Sequence, residues 1–131
     1  MNAPAPKRAP VLVIEDEPSV MAYVKAALRR SGFEVECAES GVRALELLAD
    51  RDYQAVVTDM RMPGGVDGAD VYQWLMNNRQ DLAKRLLFIT GDTVNEETAT
   101  TLRRTGVPCV EKPFRMADFI SAVQSLVGAD M

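Results

Sequence analysis

At 131 residues, with 47% hydrophobic and 26% charged side chains, the chain has the size and composition of one soluble globular domain, not of a disordered or fibrous protein. A formal net charge of -4 argues against a binder of phosphate backbones, which usually carries a basic surplus or stripe, so no nucleic-acid partner is expected. The longest apolar runs, VLVI at 11–14 and LLFI at 86–89, fall far below the roughly 20 residues of a membrane span. The N-terminus also lacks the apolar core of a signal peptide, so a cytoplasmic location with no membrane partner is expected.

Residues 1–10, MNAPAPKRAP, are rich in Ala and Pro and cannot bury a face, so they read as a disordered arm or linker remnant. The folded domain is expected over 11–128, with 129–131 as a short tail. VLVIE (11–15) is a continuous apolar run of strand length, which suits a parallel strand covered on both faces. A helix follows from Pro18, with Val20, Val24, Ala27 and Leu28 near one face and Arg29 and Arg30 before a stop at Gly32. FEVECA (33–38) alternates as an edge strand would, and the next helix starts after Ser40, a plausible N-cap, with Ala44, Leu45 and Leu48 at helical spacing.

QAVVTD then reads as the third strand, GADVYQWLMNN as the third helix, RLLFIT as the fourth strand and NEETATTLRRTG as the fourth helix. VPCVE and MADFISAVQSLVG complete the series as the fifth strand and fifth helix. Five strand and helix pairs in alternation predict an α/β domain built on a parallel sheet, with no repeat and no second domain. Cys37 and Cys109 lie far apart, lack CxxC spacing and have no histidine to share a metal, so both are expected to be buried, inert thiols.

Ligand sites in such sheets lie beyond the carboxyl ends of the strands. There the first strand ends in Glu15, Asp16 and Glu17, the third in Asp59, the fourth in Thr90, and the fifth in EKPF with Lys112. If these strands are neighbours, two or three carboxylates, a hydroxyl and an ammonium share one crevice. Carboxylates forced together resist joint ionisation unless a cation neutralises them, and hard oxygen donors of this kind suit Mg²⁺. Such a set serves phosphoryl transfer to an aspartate: Asp59 as the carboxylate nucleophile, Lys112 and Thr90 binding phosphoryl oxygens.

The stretches VLVIEDE, VVTDMRMPGGVDG, LLFITGD and EKPF, in that order and spacing, resemble the response-regulator receiver domain of two-component signalling over residues 11 to about 128. The resemblance implies a flavodoxin-like, doubly wound (βα)5 fold with a five-stranded parallel sheet in the order 2-1-3-4-5, the first and fifth helices on one face and the second, third and fourth on the other. By position it makes Asp59 the phosphoacceptor, Thr90 the switch hydroxyl and Lys112 the phosphate-binding lysine. Asp16, Asp59, the backbone carbonyl of Arg61 and the acidic neighbour Glu15 would hold Mg²⁺. Pro113 stands where the family often has a cis peptide bond. Singly, each residue has an ordinary explanation: a turn aspartate, a strand-end hydroxyl, a solvated lysine. Their convergence argues for the site; Glu17 stays a helix N-terminal acid favoured by the dipole.

Three features depart from the usual pattern. Glu15 stands where many relatives have Asp and would reach a metal through water or shift its affinity rather than abolish binding. Cys109 occupies the position of an aromatic ring that often swings inward, so coupling from Thr90 must run through backbone or the fourth helix. MPGGVDG is one residue longer than the commoner form, and its glycines permit positive φ and a mobile loop. The fourth helix has few apolar anchors, chiefly Ala99 and Leu102, and four threonines, so it should be among the least stable elements. Arg61 and Asp92 are read as independent solvated charges, with a salt bridge that narrows water access as the alternative.

Three functional readings stand. The first is a phosphoacceptor whose donor is a phosphohistidine on a histidine kinase or histidine phosphotransfer protein, since this chain has no His. With no room for an output domain after the fifth helix, it is expected to signal by protein contact through the face of the fourth helix, fifth strand and fifth helix, as a stand-alone protein or a receiver excised from a hybrid histidine kinase. It would be no enzyme beyond its own phosphorylation and dephosphorylation. The second is a hydrolase of the haloacid-dehalogenase type; the second Asp of that family's DxDx(T/V) motif is missing, because Arg61 stands there. The third is a receiver used as an unphosphorylated scaffold.

Overall fold

The computed structural model describes residues 9–62, 64–91 and 95–128. Residues 1–8 of the expected arm, the tail at 129–131, Pro63 and Asp92 lie outside them, the last with its proposed salt bridge. Five parallel strands form one sheet in the order β2-β1-β3-β4-β5: β1 (Val11–Ile14), β2 (Val35–Ala38), β3 (Ala55–Asp59), β4 (Leu86–Thr90) and β5 (Cys109–Glu111). The helices are α1 (Pro18–Arg30), α2 (Gly41–Asp50), α3 (Gly68–Asn78), a single turn α4 (Gln80–Ala83), α5 (Glu96–Thr105) and α6 (Met116–Gly128). The turn α4 was not foreseen, so the helices expected as fourth and fifth are α5 and α6. Among the described residues no helix is long and apolar enough to cross a membrane.

The β1, β3 and β4 runs are buried throughout because helices cover both faces of the sheet. Val11, Val13, Val57 and Ile89 face Val24 and Leu28 of α1 and Phe119 and Val123 of α6, while Leu12, Ile14, Val56 and Phe88 face α2, α3 and the turn α4, and Leu102 of α5 packs on the same side. This is the distribution of helices expected. Local signals set the helix starts: Pro18 opens α1, the Ser40 side chain accepts from the Arg43 N–H, and Asp67 and Asp70 form a reciprocal capping box on α3.

The expectation of two buried thiols fails. Cys37 is exposed, not buried. It pairs in register with Val13, which is fully buried, but β2 is an edge strand and leaves its Cys37 side chain uncovered. Cys109 is half-buried on the opposite edge, and burial, with a smaller contribution from the Glu111 charge, pushes its thiol pKa up to about 11.

Candidate functional site

Because all five strands run parallel, their carboxyl ends open on one side of the sheet, and the central strands put three carboxylates there. Asp59 ends β3 at 8% exposure, Glu15 follows β1 at 2%, and Asp16 beside it is exposed. Ligand oxygens of these three side chains lie within 4.8 Å of one another. Thr90 ends β4 buried, one residue beyond Ile89, the register partner of Asp59.

Lys112 follows β5 and reaches into the cluster. Its Nζ lies 2.8 Å from Asp59 Oδ2 and 3.2 Å from Glu15 Oε1, and its backbone N–H donates to the Thr90 carbonyl at 2.7 Å. The peptide bond from Lys112 to Pro113 is cis. Asp59 Oδ1 accepts from the backbone N–H of Arg61 at 3.2 Å, and the Arg61 side chain is exposed. Glu15 Oε2 accepts from the N–H of Glu17, which holds the N-cap position of α1. Beyond its ion pair with Lys112, the buried Glu15 Oε1 has no hydrogen-bond partner among the described residues.

Burial raises the pKa of Glu15, and the Asp59 charge adds to it, while the Glu17 N–H and Lys112 oppose the rise. For Lys112, burial works against the ammonium, yet the hydrogen bond to Asp59 and the charges of Asp59 and Glu15 outweigh it and raise the pKa. The Lys112 ammonium thus meets two of the three carboxylates in the cluster. That excess of hard oxygen donors, one of them buried with only an ion pair to Lys112, fits a small divalent cation held partly by water.

Beside Lys112 an open cleft of about 560 Å³ runs between α1, at Ser19, Val20 and Tyr23, and the turn at Pro113 and Phe114. The Tyr23 hydroxyl donates to the Phe114 carbonyl at 3.3 Å, and the two rings meet edge to face at 5.7 Å. Phe114 in turn lies 5.4 Å from Phe119 of α6, between ring centroids. The structure therefore brings Glu15, Asp16, Asp59, Thr90 and Lys112 to one crevice and sets the Arg61 backbone beside them.

Two site features escaped the sequence reading. The direct reach of Glu15 to Lys112 is one; the extra methylene of Glu over Asp was the available signal. The other is Gly68, where a Cβ would stand 2.8 Å from the backbone oxygen of Asp59.

The chain matches the response regulator receiver domain family over residues 11–124. It is 32% identical over 118 residues to the response regulator MprA of Mycobacterium sp. strain KMS, across 89% of this chain and 50% of that protein. The chain spans about half the length of the mycobacterial relatives it matches. In fold it is similar to a CheY-like response regulator receiver domain protein from Methanospirillum hungatei, with a TM-score of 0.83, 17% identity and coverage of 93% and 95% of the two chains. The signal receiver domain of a signal transduction histidine kinase from Syntrophus aciditrophicus gives a TM-score of 0.82 at 22% identity, over 92% and 91%.

Proposed function

The chain belongs to the response regulator receiver domain family, and from that premise we propose that Asp59 accepts a phosphoryl group from a phosphohistidine on a histidine kinase or histidine phosphotransfer protein. The observation that carries this reading is the placement of Asp59, nearly buried, with one carboxylate oxygen on Lys112 and the other on the Arg61 N–H. An Asp59 oxygen attacks phosphorus, a new O–P bond forms, the N–P bond of the donor breaks, and the imidazole keeps the electron pair.

Lys112 neutralises charge on the phosphoryl oxygens as it now neutralises Asp59, and the Thr90 hydroxyl binds another of them. Glu15, Asp16, Asp59 and the Arg61 carbonyl would hold Mg²⁺. Bound there, the ion would supply charge neutralisation for the transferred phosphoryl group. The open cleft beside Lys112 leaves a route for a donor protein along α1. Output passes to a protein target through α5, β5 and α6. That the curated relatives are response regulators supports a response-regulator receiver over a fragment of a hybrid kinase.

Intact mass after incubation with acetyl phosphate and Mg²⁺ tests the reading. One added phosphate is expected on the wild type, none on Asp59→Asn and none when the metal is chelated. A wild type that takes no phosphate, even with a cognate kinase supplied, would overturn it in favour of the scaffold.

A further inference from the structure

The loop after β3 carries one residue more than the commoner receiver form, yet Asp59 and Arg61 keep their contacts. Gly64 and Gly65 take φ of 93° and 86°, a region that costs glycine little, so the extra length is accommodated there. Beyond them the chain returns through Val66 and Asp67 to Gly68, and this limb is wedged at two points. At Gly68, the N–H donates to the Met60 carbonyl at 3.0 Å, and a Cβ would meet the Asp59 oxygen at 2.8 Å and Met60 Cα at 3.0 Å. At Val66, the backbone lies directly on the first turn of α2: a Cβ at Gly41 would stand 2.3 Å from the Val66 oxygen and 2.6 Å from Val66 Cγ1.

We propose that Gly41, on a different helix from any residue of the site, is a positioning residue for the phosphoacceptor. By admitting the Val66 backbone against α2 it sets the return limb, and through the wedge at Gly68 it sets the backbone of Asp59 and Met60. This rests on the reading of Asp59 as phosphoacceptor. A side chain at 41 drives Val66 away by about 1 Å, and close-packed elements transmit such a shift rather than absorb it. The displaced limb no longer presses Gly68 under β3, and the Asp59 carboxylate and the Arg61 backbone lose their common geometry.

Mg²⁺ titrated calorimetrically into the wild type and Gly41→Ala tests this, together with the rate of phosphate uptake from acetyl phosphate. Gly41→Ala is expected to weaken Mg²⁺ affinity and slow phosphate uptake, each on the order of tenfold, since an ångström of misplacement is felt strongly in such sites. Leu126→Ala, at the far end of α6, is expected to lower the melting temperature while leaving both quantities at wild-type values. Val66→Gly leaves α2 intact and removes the side chain that Gly41 receives; it is expected to weaken Mg²⁺ affinity in the same direction, and it decides the matter if Gly41→Ala does not fold. Wild-type Mg²⁺ affinity and uptake in a folded Gly41→Ala, or in Val66→Gly, overturns the proposal while leaving Asp59 as phosphoacceptor. A wild type that itself neither binds Mg²⁺ nor takes phosphate overturns the functional reading instead.

Discussion

Helices α1 and α5 both start at the carboxyl side of the sheet, but they are held in different ways. Helix α1 buries Val24, Ala27 and Leu28 against the sheet and α6, which itself buries Phe119, Ile120, Val123 and Leu126. Helix α5 fully buries one residue, Thr98, and only leans Leu102 on the core. What holds α5 is local chemistry at its ends: Asn95 accepting from the Thr98 N–H, Glu96 and Glu97 in the first turn, Arg103 and Arg104 in the last, and Gly106 as a left-handed cap. An apolar face anchors a scaffold cooperatively, whereas capped ends can release a segment by itself, and α5 adjoins the loop that follows Thr90.

The largest contrast should come from the same substitution made on each helix. Leu28→Ala on α1 removes a fully buried side chain and should cost about 2 to 5 kcal/mol, whereas half-buried Leu102→Ala on α5 should cost less than about 1.5 kcal/mol. Chemical denaturation of both variants checks this, and equal losses would break the comparison. Next in size, Asn95→Ala removes the cap of α5 and should cost about 1 kcal/mol of local stability, read as faster amide exchange in 96–105 with little change in α1.

A further contrast is a chemical one. Cys109 packs on the same cluster as Leu102, and its raised pKa and partial burial should make it label with iodoacetamide at pH 8 on the order of a hundredfold more slowly than exposed Cys37. Asn95→Ala should speed Cys109 labelling if α5 opens over it. Mass spectrometry of the two cysteine peptides measures both rates.

The strands and long helices were legible because apolar runs, helical spacing and stop residues agreed: GADVYQWLMNN and MADFISAVQSLVG mark α3 and α6 to the residue. The turn α4 was not, since four residues with two apolar side chains give no periodic signal, and what places it is the tertiary burial of Leu82 and Ala83. At the site, the strand-end position of Asp59, Thr90 and Lys112 was readable because a parallel sheet puts all strand ends on one side. Which cation meets which carboxylate was not readable, since the bridge from Lys112 to both Asp59 and Glu15 depends on how deep each side chain sits. Cys37 was misjudged for the same kind of reason: residue type favours burial, but an edge strand decides exposure.

The most direct test of the division between scaffold and responsive segment is amide hydrogen exchange, peptide by peptide, before and after phosphorylation with acetyl phosphate and Mg²⁺. In the unphosphorylated chain, 95–106 should exchange on the order of tenfold faster than α1, and phosphorylation should slow 95–106 while leaving α1 and α6 unchanged. Equal protection of α5 and α1 in both states would contradict the account.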